Sequence, residues 1–321
     1  MITRRKLILA AALLPAWAAF AQQAKVFRIG VLETTPIEGN VNFEVFRRTL
    51  SELGYQKNLA FEYRSSYGRN ERFAELAAEL VRLKVDLILT RGTPASLAAK
   101  AASRSIPIVT TAASDPVRSG LVASLARPGG NLTGFEPFAS DLTGKRFELL
   151  REILPGVTRI GRMLDMSNPV NPLAWKATEA AARSRGLETH LLDVRKAADL
   201  APAIEAAAKL RLGAINLGID GLISANRETI VQLLARHRMP AIYASRDFVE
   251  AGGLMSYSVD YRALYARAAT YVDRIFKGAK PADLPIEQPT KIELVINLKT
   301  AKALGITIPA SILLRADEMI E

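Results

Sequence analysis

The chain has 321 residues, 49% of them hydrophobic and 23% charged, with a formal net charge of +11 and no cysteine. The lack of cysteine excludes disulfides, thiolate chemistry and cysteine-ligated metals. A basic balance is compatible with nucleic acid or an anionic surface. Here, however, Lys and Arg alternate with Glu and Asp along helical stretches and form no basic block. The excess reads as solvated faces, and no nucleic-acid partner is expected.

In chain order, Arg4, Arg5 and Lys6 come first, then an apolar run over 7–20, then Ala19-Phe20-Ala21. This is the pattern of a secretory signal peptide over 1–21, cleaved after Ala21. The run is shorter than the roughly 20 residues of a membrane span. Thr3-Arg4-Arg5 also loosely fits a twin-arginine leader, so the export route stays open. No cysteine follows the run, so no lipoprotein anchor is expected. The mature chain, of about +8 once the three leader charges are removed, is expected in the periplasm.

A βα alternation follows. Strands are expected at 27–32, 59–63, 85–90, 107–112 and 131–135, with helices at 42–53, 71–84, 94–103 and 116–126. Helix 42–53 places Phe43, Phe46, Leu50 and Leu53 at helical spacing before Gly54. A second set runs through helix 141–153, strand 159–164, helix 172–185 and strand 188–194. It continues with helix 200–210, strand 214–218, helix 225–238 and strand 241–244. Such alternation implies an α/β fold with parallel sheets and helices on both faces. The tail adds strand 254–259, helix 261–277, a proline-punctuated stretch, strand 293–297 and helix 298–304. Two discontinuous lobes are expected: 26–137 with 252–290, and 138–251 with 291–321, with the connecting segments as a multi-strand hinge.

Catalytic sets are scarce. His190 falls in a strand pattern, and His237 sits between two arginines at a helix end. Neither has a motif partner, and metal ligation needs clusters that are missing. There is no G-x-S-x-G elbow, no G-x-G-x-x-G and no P-loop. No enzyme, cofactor or metal is expected.

Binding signals are better. Three strands run into a small polar residue and a proline at Thr93-Pro94, Asp115-Pro116 and Asn171-Pro172. Asp, Asn and Thr suit an N-cap, and proline suits the first helical turn. Strand C-termini and adjacent helix N-termini are where open α/β sheets hold ligands. At Arg91-Gly92-Thr93-Pro94, Gly92 permits close backbone approach, Thr93 offers a hydroxyl and first-turn N–H groups suit a carboxylate. Arg91 pairs with the same anion or faces solvent. Asp115 is a cap alone or also a partner for a ligand cation. Glu33 and Thr35 end the first strand. Asn168, Asp220 and Ser245 hold equivalent places in the second half, and Tyr257, with Tyr243, is a candidate aromatic wall.

Several stretches resemble one family: Leu53-Gly54-Tyr55, Leu59, Glu62-Tyr63-Arg64, residues 77–83, Gly92-Thr93-Pro94, Asp115-Pro116, Gly120-Leu121-Val122 and residues 125–131. Residues 248–257, 278–284 and 313–317 continue the likeness over essentially the whole mature chain. It resembles the ABC-transporter substrate-binding protein family that includes tryptophan/tyrosine-type uptake binding proteins. The resemblance implies a type I periplasmic binding protein: two Rossmann-like lobes, a three-strand hinge and a ligand in the cleft. It implies a small polar ligand, an amino acid (aromatic ones included) or a related carboxylate, passed by a monomeric protein to a membrane permease. Residues 34–37 and 219–221 depart from the commoner family forms, which leaves the ligand less determined than the class. The rivals are a periplasmic hydrolase with a carboxylate pair across one cleft, and a sensory domain presenting ligand to a receptor.

Overall fold

The computed structural model describes residues 25–137 and 142–321. The leader expected over 1–21 lies outside the described residues, as does the expected start of a helix at Asp141.

The first lobe alternates β1 (Phe27–Glu33), α1 (Val41–Glu52), β2 (Leu59–Ser65), α2 (Phe73–Arg82), β3 (Leu87–Thr90), α3 (Thr93–Ala102), β4 (Ile108–Thr110) and β5 (Leu132–Gly134). Its five strands are all parallel, in the order β2-β1-β3-β4-β5. β1 from Ile29 onward and all of β3 are buried, because helices cover both sheet faces. Phe43, Phe46 and Leu50 of α1 pack on one face, and Phe73, Leu76 and Leu80 of α2 on the other.

The second lobe begins with α4 (Leu142–Ile153), β6 (Arg159–Leu164), α5 (Asn171–Arg183), β7 (Glu188–Asp193), α6 (Leu200–Lys209) and β8 (Ala214–Leu217). It continues through α7 (Gly221–Ala225), α8 (Arg227–Arg236), β9 (Ala241–Tyr243), α9 (Asp247–Glu250) and β10 (Met255–Val259). The long helix α10 (Tyr261–Phe276) then crosses back to the first lobe and packs against α1. The chain returns once more as β11 (Ile292–Asn297), α11 (Leu298–Leu304), α12 (Ala310–Leu313) and β12 (Glu318–Ile320). Among the described residues, 259–261 and 287–292 connect the lobes, and the chain also passes from the first lobe at Pro137 to the second at Leu142.

Three expectations change. The second sheet has seven strands, β12-β11-β10-β9-β8-β6-β7, and β10 pairs antiparallel with β11. β10, expected with the first lobe in 252–290, hydrogen-bonds beside β9 instead. The short α9 turn between them leaves β10 next to the strand it follows, while α10 and residues 281–287 do join the first lobe. Residues 116–126 form turns, not a helix. Asp115 and Gly120 both have left-handed φ, 47° and 75°, which ends the helical path after one turn. Leu121 and Val122 are then free to enter the core beside α2 and α3. The helix expected at 225–238 is present as α8 over Arg227–Arg236, preceded by the separate α7 that Asp220 caps, with Asn226 between them at φ −111°.

Among the described residues no helix is long and apolar enough to cross a membrane.

Candidate ligand-binding cleft

The loops that follow β1, β3, β4 and β5 face those that follow β6, β8 and β9 across a cleft of about 480 Å³. All seven are strand C-terminal ends, where strand-to-helix turns present free backbone N–H groups. The volume suits a ligand of amino-acid size or somewhat larger.

The first lobe contributes Thr34, Arg91, Gly92, Thr93, Pro94, Ser114 and Asp115, with Glu136 and Gln288 near its connections. Gly92 is the N-cap of α3 at φ 87°, so no side chain blocks the approach to the helix start. Thr93 is thus the first helical residue, not the cap. Its hydroxyl donates to Ser114 O at 3.1 Å and accepts from Ser114 N–H at 3.0 Å, which ties the β3 and β4 loops together. Asp115 caps one turn through Arg118 N–H and ion-pairs with Arg118 at 3.6 Å. Its own N–H donates to Glu136 Oε1.

The second lobe contributes a buried polar cluster. Asp220 Oδ2 accepts from Asn168 Nδ2 at 2.9 Å and Asn171 Nδ2 at 3.0 Å, and its Oδ1 accepts from Leu222 N–H. Asn171 also donates to Asp165 O, so it too is tied inward and does not cap α5. Burial pushes the Asp220 carboxyl up to about 7, helped by the nearby Asp165 carboxylate and opposed by these three donors.

Three arginines sit at or beneath the cleft surface. Arg91 is 6% exposed, Arg146 on α4 1% and Arg162 on β6 4%. The Arg91 guanidinium lies 5.4 Å from the Tyr261 ring centre. Burial works against its charge, but Tyr265, Glu33 and Asp247 outweigh that and hold its pKa above the ordinary value. Arg146 donates from Nε to Tyr257 O at 2.8 Å, and Arg162 from Nη1 to Asn216 Oδ1 at 2.8 Å. Burial lowers Arg146 to about 10 and, with Arg146 adding repulsion, Arg162 to about 9. The apolar lining comes mainly from Leu164, Val170, Leu173, Ala174 and Ala177, with Phe73 opposite.

The lobes touch directly. Asn70 Nδ2 donates to Asp165 Oδ2 at 2.9 Å, and Asn42 Nδ2 to Asp247 Oδ2 at 3.4 Å. A Cβ on Gly221 would stand 2.9 Å from Thr34 Cγ2, and one on Gly68 2.9 Å from Leu222 Cα. Larger residues there would wedge the lobes apart.

Of the sequence-predicted residues, Arg91, Gly92, Thr93, Pro94, Asp115, Asn168 and Asp220 come together in the cleft. Thr35 lies in a neighbouring smaller cavity, its hydroxyl accepting from Asn40. Three more residues line neither cavity. Glu33 turns inward to accept from the Tyr265 hydroxyl and from Thr34 N–H, pinning α10 to the end of β1. Ser245 is buried and accepts from Asp247 N–H at the start of α9. Tyr257 packs between the two cores. Tyr243 likewise stacks on Phe248 with ring centres 4.8 Å apart. Arg146, Arg162 and Asn70 are cleft residues that the motifs did not single out. For two of them a signal was present. Arg162 is a charge inside a strand whose other inward positions are apolar, and Arg146 lies on the stripe of Leu142, Leu149, Leu150 and Ile153. Among the described residues no group of three or more His, Cys, Asp or Glu is placed to hold a metal.

The family model described as ABC transporter substrate binding protein matches residues 40–320. A tyrosine-binding protein of Clostridioides difficile (strain R20291) is 26% identical over 261 residues, covering 81% of this chain and 75% of that protein. The ABC domain from Streptococcus pneumonia solved in complex with L-Trp superposes with a TM-score of 0.83 at 28% identity, over 92% of this chain and 99% of that one. A conserved domain protein from Vibrio cholerae gives 0.84 at 28% identity, over 92% and 100%.

Proposed function

The chain belongs to the ABC transporter substrate-binding protein family, and from that premise we propose that it captures a small carboxylate-bearing solute between its lobes and delivers it to a membrane permease. The observation that carries this is the cleft of about 480 Å³ walled by strand C-termini of both lobes. A ligand held from both sides stabilises the closed form, because it adds contacts that the open form lacks. The relatives named for tyrosine and solved with L-Trp support a ligand of aromatic amino-acid size.

In this reading the protein works in the periplasm as a monomer. First-turn N–H groups of α3, with Gly92 and Thr93, grip from one side, and Asn168 and Asp220 orient the solute from the other. Arg91 sets the sign of the field, and release to the permease follows reopening of the lobes. The reading is non-enzymatic. The raised carboxyls Asp220 and Asp165 both belong to second-lobe loops and do not face each other across the cleft, unlike the pair a glycosidase needs.

Calorimetry of the protein against amino acids and small carboxylates is expected to show one site with a dissociation constant of about 10 µM or tighter. Hydrolytic turnover of a substrate without such binding would overturn the proposal.

A further inference from the structure

The floor of the cleft holds two adjacent positive charges and, among the described residues, no matching negative one. Arg146 and Arg162 are each more than nine-tenths buried and both line the cleft. Neither ion-pairs with a carboxylate among the described residues. Each makes one hydrogen bond to a neutral oxygen, Tyr257 O for Arg146 and Asn216 Oδ1 for Arg162. Among the described residues, Arg146 Nη1 and Arg162 Nε have no hydrogen-bond partner. Burying one unpaired cation is costly, and burying two together adds their repulsion. Arg91 differs: Glu33 and Asp247 lie close enough to offset its charge, and the Tyr261 ring covers it.

The acids of the cleft are already engaged. Asp220 accepts from Asn168, Asn171 and Leu222 N–H. Asp115 pairs with Arg118, and Glu136 accepts from Asp115 N–H and Gln288. An arriving ammonium would share carboxylates that already accept several donors, whereas an arriving carboxylate meets two cleft-lining guanidiniums that pair with no carboxylate among the described residues. A zwitterion, being neutral, leaves the surplus charge of the floor in place. Beside the floor, Leu164, Leu173, Ala174 and Ala177 offer an apolar surface to the rest of the molecule.

We infer that the preferred ligand is an organic anion without an ammonium group: an aromatic or similarly apolar body carrying a carboxylate that docks on Arg146 and Arg162. This rests on the solute-binding proposal above and narrows its ligand class. The charge-assisted bonds from the two guanidiniums supply the affinity, and the α5 face selects the body.

Matched pairs on the unaltered protein test this. Calorimetry would compare L-tryptophan with indole-3-propionate, and L-tyrosine with 3-(4-hydroxyphenyl)propionate, with tryptamine as the ammonium-only probe. At least one propionate is expected to bind about tenfold or more tighter than its amino acid, the scale of one well-placed charged contact, with no binding of tryptamine. Arg146→Gln and Arg162→Gln should each weaken the propionate by about 30-fold, without lowering the melting temperature of the ligand-free protein. An amino acid that binds as tightly as its propionate, or tighter, would overturn the inference and leave the solute-binding proposal standing. If none of these compounds binds, the inference falls. If the wider panel of amino acids and carboxylates also fails, the solute-binding proposal falls with it.

Discussion

Asp220→Ala is expected to lose about 3 kcal/mol of stability at pH 5, from orphaning two buried amide donors and removing a helix cap. Asn168 and Asn171 both aim Nδ2 at Asp220 Oδ2, and both are buried. Leu222 N–H, at the start of α7, loses its acceptor as well. The loss should depend on pH. The folded-state pKa of Asp220 is pushed up to about 7 by burial, above the ordinary 3.8. The folded protein therefore holds the proton more tightly than the unfolded chain, and the stability linked to that proton is fully present below about pH 4 and lost as pH rises through about 7. Urea unfolding at pH 5 and pH 8 checks this: the cost of Asp220→Ala should be smaller at pH 8. An equal or larger cost at pH 8 would show that the buried carboxylate is ionised throughout. The same substitution should weaken solute binding, since the loops before α5 and α7 form the second-lobe wall.

Gly134→Ala should be more damaging still. Gly134 has φ 136°, a region that L side chains rarely adopt. A Cβ there would lie 2.0 Å from Thr110 O and 2.7 Å from Thr110 N. Those are backbone atoms of the paired strand, in register with Gly134 itself, so no rotamer change relieves the collision. β5 would have to leave β4. With it would go the Phe135 pairing to Glu287, which ties a returning connection to the first lobe. A cost of about 4 kcal/mol or more is expected, at the severe end for single substitutions, or about 10 °C in melting temperature for a protein of this size. A melting point within about 2 °C of the parent would mean that the strand relaxes in a way this packing does not allow.

The legible parts of the fold are those where one physical signal dominates. Ile29–Leu32 of β1 and Leu87–Leu89 of β3 are near-continuous apolar runs because both sheet faces are covered. α10 carries Leu264, Tyr265, Ala268, Ala269, Tyr271 and Val272 on its buried side after the cap Asp260. The illegible parts depend on distant partners. Nothing within Met255–Val259 says which sheet receives it, since a buried strand reads the same in either. Glu318–Ile320 is a short, exposed edge strand with no apolar alternation, and its place comes from pairing with β11. The turn at residues 115–120 looked helical because proline followed a good cap, but two left-handed residues decide otherwise.

The same division holds for the cleft. The Gly92-Thr93-Pro94 and Asp220 turns were visible because strand ends, glycine and capping residues have local signatures. Their roles were not, because Thr93 and Asn171 bond to neighbouring loops and do not cap. Glu33 looked like a contact from its strand-end position, yet Tyr265, 232 residues away, takes it. Arg146 and Arg162 stood in plain view as charges at apolar positions. Their meaning emerges only when α4 and β6 bring them to one floor with no acid paired to them among the described residues.

The most direct test is a crystal structure of the protein with the tightest-binding solute from the calorimetric panel. One molecule is expected in the cleft, touching the Gly92-Thr93-Pro94 turn of the first lobe and the Asn168 and Asp220 loops of the second, with its carboxylate on Arg146 or Arg162. A solute held by one lobe alone, or bound outside the cleft, would contradict the account.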